Sequence, residues 1–192
     1  MISIGIIIAS VREGRKGETF ARWLQEHFAG HAEVDARLID LRDWPFTPYQ
    51  SKAMPLMAEK AFAPESLEQR WADEVGARDG FVVVTPEYNH GYPGQLKHAL
   101  DHVYSAWNHK PVAFLTYGGL SGGARVAVQL REVTAELRMV PVRDEVNLRL
   151  LDLAVDERGF PSGELFNQRA VNLINELLWW ARACQAARPR SR

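Results

Sequence analysis

The sequence holds little thiol, little net charge and no long apolar run, and each shortage excludes a class of protein. Its 192 residues include one cysteine, Cys184, which rules out an intrachain disulfide and is typical of a reducing cytoplasm. The 23 basic and 24 acidic side chains give a net charge of -1, without the basic excess of a nucleic-acid-binding protein. No apolar run approaches the roughly 20 residues of a membrane helix. We therefore expect a cytoplasmic protein whose partners are neither nucleic acids nor membranes.

Side chains suited to acid–base or metal chemistry are also scarce. The six histidines lack the spacing of zinc ligands, and only one thiol is present. No paired carboxylates and no Ser-His-Asp set are apparent. We therefore predict no metal site and no side chain acting as a general acid, base or nucleophile, and we expect Cys184 to be a bystander.

Apolar segments typical of strands alternate with segments of helical periodicity. Ile2 to Ala9 is a nearly continuous apolar run, which predicts a strand buried on both faces. Further strands are predicted at 34–39, 80–85, 110–117 and 140–146, and helices at 17–28, 64–77, 93–107, 123–138 and 164–187. This alternation predicts one α/β domain, residues 1–187, with a five-stranded parallel sheet of order 2-1-3-4-5 covered on both faces. Residues 188–192 form a basic tail that we expect to be frayed.

The most informative stretch is 85–97, which follows the apolar run 81–84 and precedes an amphipathic helix. It therefore lies at the carboxyl end of a strand, where open α/β sheets bind ligands. Its proline, glycine, asparagine and tyrosine residues predict a fixed turn with exposed amides and flat aromatic surface. That combination suits a planar, hydrogen-bonding cofactor better than a metal.

The first loop along the chain, residues 10–19, joins the first strand to the amino terminus of a helix, where free amides and the helix dipole attract anions. Ser10 and Thr19 add hydroxyl groups, and Arg12 and Arg15 are able to fork onto phosphate oxygens. Glu18 disfavours a phosphate unless only its backbone takes part. A polar turn with solvated arginines explains this loop equally well.

Each of the other loops also has a plain structural explanation. Glu87 is explained equally by a surface charge, Asn89 by a left-handed turn, and the glycine-rich segment 117–123 by an ordinary strand-to-helix connection. The predicted topology, however, brings all three loops to one edge of the sheet. Their convergence favours a joint binding site.

The chain resembles the NADPH-dependent FMN reductase family of the flavodoxin-like superfamily, which includes quinone, azo-dye and chromate reductases. The residues that carry the resemblance are Ser10-x-Arg12, Pro86-Glu87-Tyr88-Asn89, Pro93-Gly94-x-Leu96-Lys97-x-Ala99-Leu100-Asp101, Tyr117-Gly118-Gly119 and Ser121-Gly122-Gly123. The resemblance implies a flavodoxin-like three-layer fold and places the FMN phosphate on Ser10, Arg12, Gly17 and Thr19. It places the isoalloxazine against 86–89 and 118–119. The full set of predicted cofactor-binding residues is Ser10, Arg12, Arg15, Gly17, Glu18, Thr19, Pro86, Glu87, Tyr88, Asn89, Tyr117, Gly118 and Gly119.

The resemblance implies a reductase that passes hydride from NADPH or NADH to FMN, and then on to a quinone, azo dye, free flavin or metal oxyanion. Two alternatives remain open at this point. One is a flavodoxin-like protein that only carries electrons. The other is a flavin-free interaction scaffold.

The segment 42–62 predicts a contact between copies of the chain. It is longer than an ordinary connection and carries Trp44, Phe46, Tyr49, Met54, Leu56 and Met57 without strand or helix periodicity. The predicted helix 93–107 adds Tyr104 and Trp107, residue types enriched at interfaces. The resemblance favours a homodimer or dimer of dimers that completes the flavin site. A lid folded over the chain's own sheet edge is the alternative.

Overall fold

A computed structural model describes residues 1–188 of the chain. Five strands form one sheet in the order β2-β1-β3-β4-β5, with every neighbouring pair parallel. Their bounds are β1 Ile2–Ile8, β2 Val34–Asp40, β3 Gly80–Pro86, β4 Pro111–Gly118 and β5 Val140–Arg149. The predicted fold and strand order are confirmed, and β5 runs three residues beyond its predicted end.

Helices cover both faces of the sheet. They are α1 Gly17–His27, α2 Pro55–Ala58, α3 Leu67–Gly76, α4 Gly94–Asp101, α5 Ala124–Glu136 and α6 Glu164–Ala187. Because successive side chains of a strand point to opposite faces, Ile6 joins the core under α1 and α6, while Ile7 joins the core under α3, α4 and α5. The apolar run of β1 is therefore buried against helices on both faces of the sheet.

The predicted helix 93–107 is wrong beyond residue 101. The chain leaves the helix after Asp101, and the carboxylate of Glu59 accepts hydrogen bonds from the backbone amides of Tyr104 and Ser105. Trp107 then lies in a single 3₁₀ turn and is fully buried in the chain's own core. It is therefore not part of any exposed contact surface.

Two other boundaries differ from prediction. Helix α3 begins after Ser66, whose hydroxyl accepts the Gln69 amide at 3.1 Å, so Pro64 lies before the helix. The segment 42–62 contains α2 and short 3₁₀ turns, with Phe46 buried in the core. Of the basic tail, only Arg188 lies within the described residues, and it pairs with Asp79. Among residues 1–188, no helix is both long and apolar enough to cross a membrane.

Candidate functional site

The three predicted loops meet in a crevice of about 250 Å³ at the carboxyl ends of β1, β3 and β4. Larger cavities lie elsewhere, among them one of about 670 Å³ beside β5 and one of about 480 Å³ lined by residues of the segment 47–62. We take the smaller crevice as the site because it occupies the point where the strand order reverses. Its lining residues are Ser10, Arg12, Arg15, Lys16, Pro86, Glu87, Tyr88, Tyr117, Gly118, Gly119 and Leu150.

Nine of the thirteen predicted residues line this crevice. Gly17, Glu18, Thr19 and Asn89 do not line it, although all four lie in its loops. Sequence reasoning missed Lys16 and Leu150. Lys16 immediately precedes α1, and Leu150 is held in place because its amide donates to the Gly118 carbonyl at 2.8 Å. The only signal for Leu150 was its position just beyond the last strand.

Arg15 is committed to protein partners, which corrects the expectation that it forks onto a phosphate. Its Nη1 donates to Asp40 Oδ1 at 2.6 Å and to the Ser10 carbonyl at 2.8 Å. Its Nη2 donates to Asp40 Oδ2 and to Glu18 at 3.3 Å. All four Nη hydrogens are thereby used. The buried Nε–H is left with no partner in the described chain.

The charges around Arg15 stabilise one another. The hydrogen bond to Asp40 raises the pKa of Arg15 despite the opposing effect of burial. Burial raises the pKa of Asp40, but hydrogen bonds from Arg15 and the Arg42 backbone outweigh it, so that pKa is lowered overall. Arg15 of the first loop is therefore buried in an ion pair with the partly exposed Asp40 of β2 rather than solvated.

The second loop, residues 86–93, contains a tight turn. The amide of Tyr88 donates to the Gly91 carbonyl at 2.8 Å, and the Gly91 amide donates back at 2.9 Å. Asn89 and His90 have φ values of 50° and 69°, which is the left-handed conformation that two-residue turns of this kind require. The Tyr88 hydroxyl lies 2.7 Å from Ser10 Oγ, so this turn also contacts the first loop.

Glu87 is an internal anchor and not a surface charge. Its side chain is 6% exposed and pairs with Arg125. Ser121 Oγ donates to it at 2.9 Å. Burial raises the pKa of Glu87, but the hydrogen bonds from Arg125 and Ser121 lower it overall. The carboxylate thus ties the second loop to the glycine-rich loop.

The third loop brings Tyr117 to the amino terminus of α1. The Tyr117 ring packs edge-on against Phe20 at 5.2 Å, and the residue is 5% exposed. A Cβ on Gly17 would lie 2.7 Å from the Tyr117 hydroxyl oxygen, so this approach requires glycine. Burial raises the pKa of Tyr117, which keeps the hydroxyl protonated. Its oxygen has no hydrogen-bond partner among residues 1–188.

Comparison with known proteins identifies the family. The model of the NADPH-dependent FMN reductases matches residues 2–150. The chain belongs to this family. An NAD(P)H-dependent FMN reductase of Schizosaccharomyces pombe is 40% identical over 134 residues, which cover 70% of this chain and 66% of that protein. A quinone reductase of Pseudomonas putida is 31% identical over 137 residues, 66% of this chain and 67% of that protein.

The fold agrees with this assignment. The flavoenzyme NAD(P)H:(acceptor) oxidoreductase FerB of Paracoccus denitrificans superposes with a TM-score of 0.76, over 95% of this chain and 98% of that one. Its 20% identity supports the flavodoxin-like fold alone. This FMN reductase family member is therefore an oxidoreductase whose cofactor is FMN and whose reductant is NAD(P)H.

The crevice of this family member has the chemistry that FMN requires. Helix α1 begins without a side-chain cap at Lys16, so its first amides have no partner within the helix. Arg15 Nε–H and the Tyr117 hydroxyl are buried donors without a protein acceptor in the described residues. Buried donors are normally paired, and an acceptor-rich phosphate would satisfy both. Within residues 1–188, no group of three or more potential ligands is placed to hold a metal ion.

Proposed function

We propose that FMN binds in this crevice with its phosphate at the amino terminus of α1. The observation that carries the proposal is the pair of unpartnered buried donors, Arg15 Nε–H and the Tyr117 hydroxyl, at an uncapped helix terminus. Ser10 and Arg12 line the same wall, and Gly17 and Thr19 would contribute backbone amides. Arg12 and Lys16 supply positive charge, because Arg15 is already neutralised by Asp40.

The isoalloxazine would lie between the second and third loops. Pro86 and Tyr88 would line one side, with Asn89 at the turn, and Gly118, Gly119 and Leu150 the other. Nothing meets a Cβ built on Gly119 within 4 Å, so this backbone is open to a flat ligand. FMN supplies the hydride chemistry when bound. The chain's residues bind and orient it, and we assign no side chain as a general acid or base.

The acceptor we propose is a quinone or a similar planar, uncharged molecule. Leu120 and Leu151 are 77% and 70% exposed, and each adjoins a residue that lines the crevice. Exposed leucines next to the lining residues would give the mouth of the site an apolar rim, which would suit a quinone better than chromate. The relative from Pseudomonas putida carries the name quinone reductase.

Anaerobic NADPH oxidation by the FMN-loaded protein tests this function. The expected result is bleaching of the flavin by NADPH and its recovery on adding a quinone, with parallel initial-velocity lines because one site serves both substrates. An azo dye, free FMN and chromate are compared at equal concentration. A flavin that NADPH does not bleach would favour an electron carrier, and intersecting lines would contradict a shared site.

We propose further that two copies of the chain pair through the segment 42–62. Met54, Leu56 and Met57 are 70%, 43% and 52% exposed on or beside α2. The cavity of about 480 Å³ lies beneath this segment. An exposed apolar group of this kind is typical of a contact surface. Light scattering on the FMN-bound protein should give at least twice the 21.7 kDa chain mass, and a fully active monomer would contradict the pairing.

A further inference from the structure

Residues at the carboxyl end of β2 and just after it hold the first loop by hydrogen bonds from outside the crevice. Asp40, the last residue of β2, accepts both Nη groups of Arg15, which in turn donates 2.8 Å to the Ser10 carbonyl. The Arg15 side chain is only 3% exposed. The register of β2 explains the contact, because Asp40 is the direct partner of Ile8 at the end of β1.

Arg42 also forms hydrogen bonds to the backbone of this loop. Its Nη2 donates to the Arg12 carbonyl at 2.7 Å, and its Nε lies 3.4 Å from the Val11 carbonyl. The Arg42 amide in turn donates to Asp40 Oδ1 at 2.9 Å, which fixes the start of its own turn. Three successive carbonyls, those of Ser10, Val11 and Arg12, are therefore held by two guanidinium groups that Asp40 organises.

This arrangement controls the backbone amides of the loop. In a trans peptide the C=O and the following N–H point in opposite directions. Fixing the carbonyls of residues 10–12 therefore turns the amides of residues 11–13 away from the guanidinium groups. The Arg12 amide donates weakly to Ser10 Oγ at 3.4 Å, and both of these residues line the crevice. Successive amides held on one side form an anion-binding concavity. An unheld loop would instead lose backbone conformational freedom when the ligand binds.

We propose that Asp40 is a positioning residue for the cofactor phosphate, acting through Arg15 and supported by Arg42. The proposal rests on the FMN site proposed above. Neither Asp40 nor Arg42 lines the crevice, so their effect reaches the phosphate through the backbone that they hold. Arg15 supports the loop backbone through the Ser10 carbonyl and keeps one free donor, its Nε–H. Arg12 and Lys16 remain as the cations that face the ligand.

Asp40→Asn tests this role, because it keeps the size of the side chain and removes its charge. Dissociation constants for FMN and for riboflavin, which lacks the phosphate, are measured by quenching of flavin fluorescence. We expect the FMN constant to rise about tenfold or more, as for lost hydrogen bonds to a charged group, and the riboflavin constant to rise less than about threefold. Asp35→Asn is the matched control, since Asp35 lies on the same strand and pairs with exposed Arg37; it should change neither constant.

The outcomes separate this inference from the proposed function. A wild-type protein without preference for FMN over riboflavin would overturn both. A wild type that prefers FMN, beside an Asp40→Asn variant with the same preference, or with equal loss for both ligands, would overturn the positioning role alone. If Asp40→Asn does not fold, Arg42→Gln decides, because Arg42 is exposed. Its FMN constant should rise about threefold with riboflavin unchanged, and no change would overturn the proposal.

Discussion

Buried charged and polar side chains lie at both edges of the sheet, but their hydrogen-bonding differs. At the amino-terminal edge, Lys110 Nζ donates to the carbonyls of Val75 and Gly76 at 2.7 and 3.1 Å. Arg78 bridges Glu74 and Ser3, with its Nη1 2.9 Å from Ser3 Oγ. Asp79 accepts the Ser3 amide at 3.0 Å. Each of these side chains therefore forms hydrogen bonds to neighbouring groups within the fold.

At the carboxyl edge, two buried donors have no acceptor in the described part of the chain. They are Arg15 Nε–H and the Tyr117 hydroxyl, and both residues line the same crevice. An unsatisfied buried donor costs about 1–3 kcal/mol. His98 Nδ1 and Trp107 Nε1 also lack a partner in residues 1–188 but lie outside the crevice, so the pair is set apart because both donors line the same crevice. The amino-terminal edge therefore serves the stability of the fold and the carboxyl edge serves a ligand, and substitutions should separate the two roles.

Gly17→Val should have the largest effect on the ligand edge. The new Cβ would lie 2.7 Å from the Tyr117 oxygen, and the buried Tyr117 ring has little room to retreat from it. We expect FMN affinity to fall by about a hundredfold and the free energy of unfolding to fall by about 1–3 kcal/mol, as for overpacked sites. Flavin titration and urea unfolding measure both.

Gly76→Val is the control for that substitution, because a Cβ at Gly76 meets no atom within 4 Å. It should leave FMN binding intact. If Gly17→Val bound FMN like the wild type, the approach of Tyr117 to α1 would not matter for the cofactor, and the contrast between the edges would weaken.

Tyr117→Phe should move stability and binding in opposite directions. Removing a buried hydroxyl that lacks a partner should raise the free energy of unfolding of the FMN-free protein by about 1 kcal/mol. Loss of the same donor should weaken FMN binding about tenfold. Tyr104→Phe is the matched control, since the Tyr104 hydroxyl donates to the Glu136 carbonyl at 3.1 Å and lies outside the crevice. Unchanged FMN affinity in Tyr117→Phe would show that the hydroxyl is not a ligand.

The fold was predictable because it follows from local patterns. The apolar run of β1 and the alternation of elements determine a doubly covered parallel sheet, and parallel strands bring their following loops to one edge. That reasoning also brought nine predicted residues to the crevice. The pairing of Arg15 with Asp40 was not predictable in the same way, because it depends on the register of β2 against β1.

Other errors have the same origin in long-range contacts. The helical periodicity of 93–107 continues past the true end at Asp101, and the turn that follows is fixed by Glu59, 45 residues earlier than Tyr104. Leu150 was missed because β5 extends to Arg149 and its pairing with β4 carries the next residue to the Gly118 carbonyl. Such contacts leave no periodic signal in a single sequence.

Lys110→Met should test the amino-terminal edge of the sheet through the pH dependence of the free energy of unfolding. Burial lowers the pKa of Lys110 to about 7, from the ordinary 10.5. Since the folded-state pKa is depressed, the unfolded chain binds more protons between these values, and stability should rise as pH increases from about 7 to about 10. The variant lacks this titrating group. The free energy of unfolding of the wild type should therefore increase relative to that of the variant across this pH range, as measured by urea unfolding at each pH. The exposed Lys60→Met control should show no such trend.

Cys184→Ser should have the smallest effect, because Cys184 belongs to neither edge's network. It lies on α6 and lines a cavity with His109, Val140, Ala187 and Arg188, none of which borders the crevice. Burial raises the pKa of its thiol, which disfavours the reactive thiolate. We expect unchanged NADPH oxidation and a change in the free energy of unfolding within about 0.5 kcal/mol. Alkylating the wild-type thiol with iodoacetamide should likewise leave FMN reduction intact. Loss of FMN reduction in the serine variant, at unchanged stability, would show instead that the thiol takes part in the reaction.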